Sequence, residues 1–155
     1  MGNQRKKICF AASSGGHLEE LSRLSELVEQ DDFVFTEKSE FATIGWCKKI
    51  VYVPQINRKE LLFIFKFIWL FFVAFYVLCK ERPGVIVSTG ALATYPICVL
   101  GKLFGVKIIY IESFARVDHA SLTGKLLYRI ADVFIVQWKE MLKIYPDAVC
   151  GGGIF

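Results

Sequence analysis

The sequence predicts an α/β fold in which a parallel sheet carries helices on its faces. Short runs of β-branched and aromatic residues alternate with segments of helical periodicity along the chain. The 155 residues, 54% hydrophobic and 22% charged, are enough for one domain with a buried core. We therefore expect a single domain over residues 1–155, and the composition excludes disordered and collagen-like classes.

The strands and helices of this fold are predicted in chain order. The first strand, residues 7–12, is followed by a Ser-Ser-Gly-Gly turn and a helix whose apolar side chains recur at three- and four-residue spacing as far as Val28. Further strands are predicted over residues 33–36, 50–53, 85–88, 107–111 and 133–136, and the series closes with 148–150. Between them we expect a partly helical stretch over 37–48, helical segments over 93–104 and 121–131, and a short helix from Trp138.

Residues 61–79 are far more apolar than the rest of the chain, and we expect a helix over about 60–80. The 19 residues contain eight aromatic side chains and a single charge, Lys66. Such a helix is roughly 28 Å long, close to the ~30 Å thickness of a bilayer's hydrocarbon core. It can lie in the membrane interface with basic flanks on lipid headgroups, pack against the sheet or a partner, or cross the membrane.

A membrane crossing would put strands of one sheet on opposite sides of the bilayer, so we favour the membrane-associating helix. The aromatic residues that we expect to contact lipid are Phe63, Phe67, Trp69, Phe71 and Phe75, flanked by Arg58, Lys59, Lys80 and Arg82.

Small residues and a histidine follow the first predicted strand. The carboxyl ends of parallel strands share one sheet edge, where ligands bind, and free N–H groups at a helix start suit a phosphate. The pattern is neither a dinucleotide fingerprint nor a Walker loop. A tight turn with the histidine capping the helix is the alternative interpretation. The candidate binding residues are Ser13, Ser14, Gly15, Gly16 and His17.

Two further strands end in residues that can bind a ligand. Thr89 and Gly90 follow the strand over 85–88, where a hydroxyl and N–H groups can bond a diphosphate or a sugar. Glu112 and Arg116 follow the strand over 107–111 and supply a carboxylate and a guanidinium. The alternatives are a compact turn for the first pair and a structural ion pair for the second. Converging on one edge, the three loops suit a sugar-diphosphate ligand.

Several classes of function lack their residues in this sequence. The formal net charge of +4 is a mild excess, and we expect no nucleic-acid partner. No metal or other cofactor is predicted, because HExxH, paired CxxC, GxSxG and EF-hand patterns are missing from the sequence. The five dispersed cysteines indicate reduced thiols in a cytosol-facing protein. The basic N-terminus precedes too short an apolar run for a signal peptide, so no export is expected.

Three motifs resemble those of the Alg14 family, whose bacterial members include PssD/CpsF-type polysaccharide biosynthesis proteins. They are KICFAASSGGHLEEL, VSTGALATYP and YIESFARV, followed by a terminal GGGIF. The resemblance implies a Rossmann-like domain similar to the N-terminal, acceptor-binding half of a GT-B glycosyltransferase. We call the Ser-Ser-Gly-Gly turn, residues 13–16, the glycine loop. By the same resemblance, the glycine loop with His17 faces an acceptor diphosphate, Thr89 and Gly90 line the cleft, and Glu112 lies near the acceptor hydroxyl.

The resemblance further implies a membrane-associated subunit of a two-chain, inverting UDP-sugar glycosyltransferase for capsule, exopolysaccharide or lipid-linked oligosaccharide synthesis. The chain would bind a polyprenyl-diphosphate-linked sugar at the cytoplasmic face of the membrane, and an Alg13-like partner would hold the donor. Length agrees, because 155 residues cannot hold both halves of a GT-B enzyme.

Three details of this hypothesis stay open. His17 and Glu112 are the candidate bases, with the choice between them, or neither, left open, and the partner is expected to dock on Gly152, Ile154 and Phe155. The alternative function is a non-catalytic membrane recruiter that activates a complete glycosyltransferase.

Overall fold

A computed structural model describes residues 5–39 and 43–154 of the chain. The strands are β1 (Ile8–Ala12), β2 (Phe33–Glu37), β3 (Lys49–Val53), β4 (Val85–Gly90), β5 (Lys107–Ile111), β6 (Val133–Val136) and β7 (Val149–Cys150). The α-helices are α1 (Gly16–Ser22), α2 (Phe63–Glu81), α3 (Tyr95–Leu103) and α4 (Leu122–Leu127). Short 3₁₀ helices cover Ser25–Leu27, Leu92–Thr94 and Lys139–Lys143.

The seven strands form one sheet in the order β3-β2-β1-β4-β5-β6-β7, and all neighbouring strands are parallel. The predicted Rossmann-like parallel sheet with flanking helices is therefore confirmed. The strand order reverses direction between β1 and β4. In open parallel sheets the crevice at such a switch point, beyond the carboxyl ends of the strands, is where ligands bind.

Alternating side chains of the strands divide the core between the two faces of the sheet. Cys9 and Ala11 of β1 pack into the hydrophobic cluster that includes α2 and α3. Phe10 and Ala12 point to the other face and pack with the apolar side of α1. Both faces are thus covered, as the near-continuous hydrophobic strands require.

Helix α2 joins β3 to β4 and returns the chain to the same sheet. Leu70, Ala74, Val77 and Leu78 form its buried face, at the spacing of an amphipathic helix. In the part of the chain that the structure describes, α2 alone is long and apolar enough to cross a membrane by length and composition. Its packing on the sheet and on α3 makes it a crossover helix of the domain.

Several predicted boundaries are wrong. Helix α1 ends at Ser22, and the apolar stripe continues into the 3₁₀ turn Ser25–Leu27. The stretch predicted as partly helical contains no helix among its described residues, 38–39 and 43–48. Residues 93–104 begin in the 3₁₀ turn Leu92–Thr94 and continue as α3, and the helix expected over 121–131 is shortened to α4. The expected short helix after Trp138 is the 3₁₀ helix Lys139–Lys143.

Candidate functional site

An open cleft of about 830 Å³ lies at the carboxyl edge of the sheet, beside the switch point. Its volume is within the range of small-molecule sites in proteins. Six segments line it: the end of β2, the loop after β1 with α1, the loops after β3, β4 and β5, and the start of α4. The polar and charged lining residues are Ser13, His17, Glu20, Glu37, Gln55, Asn57, Arg58, Lys59, Glu60, Ser113, Arg116, Ser121 and Thr123.

His17 stands in the first turn of α1 and lines the cleft. Its Nδ1 lies 2.9 Å from the carbonyl oxygen of Thr89, and the Thr89 hydroxyl donates to the carbonyl of His17 over 2.7 Å. A carbonyl oxygen only accepts, so this contact assigns the ring proton of neutral His17 to Nδ1. Nε2 is then the ring nitrogen that can accept a proton from a ligand in the cleft.

The residues of the glycine loop before α1 line two different cavities. Ser13 and Gly16 line the cleft, whereas Gly15 lines a separate cavity of about 460 Å³. Gly15 has φ of +82°, a left-handed conformation that a side chain rarely adopts, and its carbonyl accepts from the N–H groups of Leu18 and Glu19 in α1. Ser14 lies close enough to the carboxylate of Glu37 to lower its pKa. The loop therefore presents backbone and one hydroxyl to the cleft.

Thr89 and Gly90 lie behind His17, and neither lines the cleft that was expected for them. Gly90 has φ of +111°, and a Cβ there would stand 2.9 Å from the hydroxyl of Tyr110 and 3.4 Å from His17 Cε1. The two residues thus hold the imidazole in place, and Ala91 and its successors line the cleft instead. Thr89 and Gly90 therefore lie at the cleft's edge of the sheet but face His17 rather than the cleft.

Glu112 is 1% exposed and its carboxylate faces the interior. Tyr145 hydroxyl, at 3.1 Å, and the backbone N–H groups of Ser113 and Ser121, at 3.1 and 3.3 Å, donate to it. A Cβ added at Gly124 would lie 2.0 Å from Glu112 Oε2, so glycine is required there for close approach. Burial, and secondly the Glu112 charge, raise the pKa of Tyr145. This position does not suit a base acting in the cleft, and we assign Glu112 a structural role.

Arg116 lines the cleft, as expected from the sequence, but without the expected partner. Its Nη1 lies 2.6 Å from Nε2 of His119, whose other ring nitrogen is 2.7 Å from an Asp118 carboxylate oxygen. The carboxylate of Glu112 is bonded elsewhere, so the alternative interpretation of a structural Glu112–Arg116 ion pair is wrong. The guanidinium retains donors for a ligand.

The loop after β3 supplies cleft residues that sequence reasoning assigned elsewhere. We define residues 54–62 as the basic loop; its Arg58 and Lys59 were interpreted as headgroup contacts only, and both line the cleft. Together with Arg116 they give the cleft three cations. Among the described residues, none of the three has a carboxylate within ion-pairing distance. The sequence contained the information needed to place these residues at the cleft, because the basic loop follows a predicted strand and therefore begins at the same edge of the sheet.

Of the three carboxylates that line the cleft, Glu20 and Glu37 are bonded to neutral donors, whereas Glu60 pairs with Lys66. Glu20 accepts from the Ser113 hydroxyl at 2.7 Å and from the Phe114 N–H at 3.1 Å. Glu37 accepts from the Ile56 N–H at 2.8 Å. Burial raises the pKa of Glu37, while bonds from Ile56 and Ser14 and the nearby His17 oppose the rise. No three His, Cys, Asp or Glu side chains come together as a metal site over the described residues.

Helix α2 starts at the end of the basic loop and presents an apolar face outward. Phe65, Phe72, Trp69 and Phe75 are exposed by 71, 64, 59 and 51%, and Ile64, Ile68 and Tyr76 extend the face. The face continues onto Leu103 and Phe104 at the end of α3. An exposed apolar surface of this continuity marks an interaction site.

Not all the aromatic residues predicted to contact lipid belong to this outward face. Trp69 and Phe75 do, whereas Phe63, Phe67 and Phe71 are half-buried and contact one another in a row along the helix. Phe67 also stacks on Tyr95 of α3, with ring centroids 6.4 Å apart. The aromatic row therefore joins the two helices, and the outward face uses the neighbouring positions.

The C-terminal residues expected to bind a partner lie near β6. Gly152 is exposed with φ of +76°, and the N–H of Ile154 donates to Gln137 Oε1 over 3.0 Å. Gln137 also donates to the carbonyl of Glu112 at 3.0 Å. Phe155 lies outside the described residues. The segment is thus anchored through Gln137 to the loop that follows β5.

The fold and the cleft define a Rossmann-like domain of the GT-B type. MurG of Acinetobacter baumannii matches it with a TM-score of 0.66 and 17% identity, over 85% of this chain and 41% of that one. A Staphylococcus aureus MnaA–UDP structure matches with a TM-score of 0.71 and 13% identity, over 97 and 46% of the chains. The chain spans less than half of both, and identities this low show the fold alone.

The chain belongs to the Alg14 family: residues 37–154 match the family described as "Oligosaccharide biosynthesis protein Alg14 like". It is 27% identical to the "UDP-N-acetylglucosamine transferase subunit ALG14" of Rattus norvegicus, over 95% of this chain and 82% of that protein. The protein of the same name from Candida albicans is 29% identical, over 92 and 75%. The resemblance drawn from the three motifs is confirmed.

Proposed function

We propose that this chain is the membrane-associated, acceptor-binding subunit of a two-chain UDP-N-acetylglucosamine transferase. It binds a polyprenyl-diphosphate-linked sugar in the cleft, and an Alg13-like chain holds the donor. The product is a lipid-linked oligosaccharide or a capsule or exopolysaccharide precursor, made at the cytoplasmic face of the membrane. The names of the family and of its relatives support the transferase class.

One observation carries the acceptor assignment: the cationic wall of the cleft continues directly into the outward apolar face of α2. Arg58 and Lys59 line the cleft, and Phe65, seven residues after Arg58, is 71% exposed. A lipid diphosphate has a doubly ionised head next to a hydrocarbon tail. The head matches the guanidinium and ammonium groups, while the membrane that holds the tail matches the apolar face.

The proposed sugar transfer uses Nε2 of His17, the ring nitrogen that is not bonded to the Thr89 carbonyl. The acceptor hydroxyl oxygen attacks C1 of the donor sugar, the bond from C1 to UDP breaks, and UDP leaves. The hydroxyl proton passes to Nε2 of His17, whose Nδ1–H stays bonded to the Thr89 carbonyl. His17 is the better candidate base than Glu112, because Glu112 is bonded in the interior.

The test measures sugar transfer from UDP-N-acetylglucosamine to a polyprenyl-diphosphate sugar, with this chain, the partner and both together. Transfer is expected only from both, and His17→Ala is expected to lower kcat by 10²–10⁴-fold. Glu19→Ala, on the exposed side of the same helix, is the matched control. Full transfer by this chain alone would overturn the two-chain proposal. If His17→Ala keeps full activity while the partner stays on membranes, the chain is a non-catalytic recruiter.

Membrane association has its own test. The triple substitution Phe65→Ser, Ile68→Ser and Phe72→Ser removes apolar side chains from the outward face and is expected to abolish co-sedimentation with vesicles of phosphatidylglycerol and phosphatidylethanolamine. Leu27→Ser is the control, because Leu27 is similarly exposed but lies near the other face of the sheet. Unchanged sedimentation of the triple variant would indicate that another protein covers α2.

A further inference from the structure

Glu37 is a buried carboxylate in the wall of the cleft, and the proposed chemistry does not use it. It is the last residue of β2 and is 6% exposed. A carboxylate in a site for an anionic ligand is unfavourable by Coulomb repulsion, so its presence calls for another role.

The carboxylate of Glu37 connects two loops that form opposite parts of the site. On one side it accepts from the Ile56 N–H of the basic loop at 2.8 Å. On the other side, Ser14 and His17 of the first βα loop and α1 lie close enough to the carboxylate to lower the pKa of Glu37. Glu37 therefore bonds the basic loop and lies beside the glycine loop.

Ile56 anchors the basic loop just before its two cations. The Lys38 N–H bonds the Val53 carbonyl at 3.0 Å, and the Ile56 side chain packs on the core. Beyond Ile56 the loop forms a turn of its own, in which Asn57 Oδ1 accepts from the Lys59 N–H at 3.0 Å, and Glu60 at its far side pairs with Lys66 of α2. The anchor at Ile56 thus fixes the near side of this turn over the cleft.

We propose that Glu37 is a positioning residue that holds the basic loop against the glycine loop and so fixes Arg58 and Lys59 for the anionic group of the acceptor. The assignment rests on the proposed function for its substrate and on the bond to Ile56 for its geometry. Its effect is on acceptor binding, because the residue acts through the loop. The carboxylate's length and its acceptor oxygen matter for this role, and its charge does not.

Two substitutions separate length from charge. Glu37→Gln removes the charge and keeps an oxygen at the same reach, whereas Glu37→Asp keeps the charge and shortens the side chain by one methylene. We expect Glu37→Asp to raise the KM for the lipid-linked acceptor about tenfold with kcat within twofold, as loss of the hydrogen bond to the Ile56 N–H implies. Glu37→Gln is expected to stay within about threefold of the wild type in both. The reverse pattern, an inactive Gln and an active Asp variant, would overturn the proposal.

A second measurement does not depend on the proposed function. In hydrogen exchange of the isolated chain, the amides of residues 56–60 are expected to exchange faster in Glu37→Asp and to stay protected in Glu37→Gln. Unchanged exchange in the Asp variant would show that Glu37 does not hold the loop. If exchange responds as expected while the wild-type complex transfers no sugar, the loop assignment stands and the proposed function fails. Thermal melting of both variants separates a local effect from unfolding.

Discussion

The two edges of the sheet use charge in opposite ways. At the amino edge, carboxylates bind cations: Glu81 accepts from Lys7 and Lys49 at 2.6 Å each, and Asp132 pairs with Lys102 at 2.6 Å. At the carboxyl edge, the buried carboxylates Glu20, Glu37 and Glu112 bond hydroxyl, amide and backbone donors instead.

As a consequence, the cations of the two edges differ in whether a carboxylate pairs with them. At the amino edge Lys7, Lys49 and Lys102 pair with carboxylates, whereas Arg58, Lys59 and Arg116 face the cleft without a carboxylate partner among the described residues. Carboxylates satisfied by neutral donors do not compete for these cations. The difference indicates that the carboxyl edge is arranged for an anionic ligand and the amino edge for stability.

Glu112 lies at the carboxyl edge, yet we assign it a structural role. Removing its carboxylate tests that assignment. Glu112→Ala leaves the Tyr145 hydroxyl and two backbone N–H groups without an acceptor in the interior. We expect the free energy of unfolding to fall by about 3 kcal/mol or more. Chemical denaturation measures it, with exposed Glu140→Ala as the control. Unchanged stability with lost transfer would return Glu112 to the list of candidate bases.

A charge reversal compares the two edges directly. Arg58→Glu at the cleft is expected to lower kcat/KM for the lipid-linked acceptor by about 10–100-fold, because it replaces attraction for the diphosphate by repulsion. Lys48→Glu, an exposed reversal at the amino edge, is expected to change it less than twofold. For each variant, the ratio of the wild-type kcat/KM to the variant kcat/KM is measured in the two-chain transfer assay at 50 and 500 mM salt. The ratio for Arg58→Glu is expected to shrink at high salt. Equal effects of both reversals would mean that the edges do not differ in function.

The fold could be predicted from the sequence because its strands are short hydrophobic runs, whose positions are specified locally by periodicity and turn residues. The end of α1 could not be predicted in this way. The apolar stripe continues past Ser22, but the Asp32 carboxylate bonds the Glu29 N–H at 2.9 Å and Arg5 donates to the Leu27 carbonyl. These contacts come from residues outside the helix, so the pattern of the helix does not contain them.

The candidate site was predictable to the level of loops and less so to the level of side chains. Loops after parallel strands meet at one edge, which located His17, Arg116 and the motif around Thr89. Whether a residue at that edge faces the cleft or the interior depends on its backbone conformation and on distant partners. Glu112 turns inward because Tyr145, 33 residues later in the chain, donates to it. Arg58 and Lys59 were assigned to headgroups because a basic segment before an apolar helix has the same pattern in both roles.

The smallest expected effect tests the amino edge through pH. The Ile108 N–H, and secondly Lys102, lower the pKa of Asp132. A lowered pKa contributes stability that is present above the unfolded value, about 3.9, and is lost as pH falls through the folded one. Asp132→Asn keeps an oxygen for the Ile108 N–H, so at pH 7 it is expected to cost below about 1 kcal/mol, the range of an exposed ion pair.

The difference in unfolding free energy between wild type and Asp132→Asn should therefore shrink between pH 5 and pH 3, while acceptor binding at pH 7 is unchanged. Thermal melts across this range measure the first, and the transfer assay measures the second. A difference that stays constant with pH would mean that the charge of Asp132 does not stabilise the fold. A loss of transfer in this variant would contradict the division between the edges, because Asp132 lies at the end of the sheet opposite the cleft.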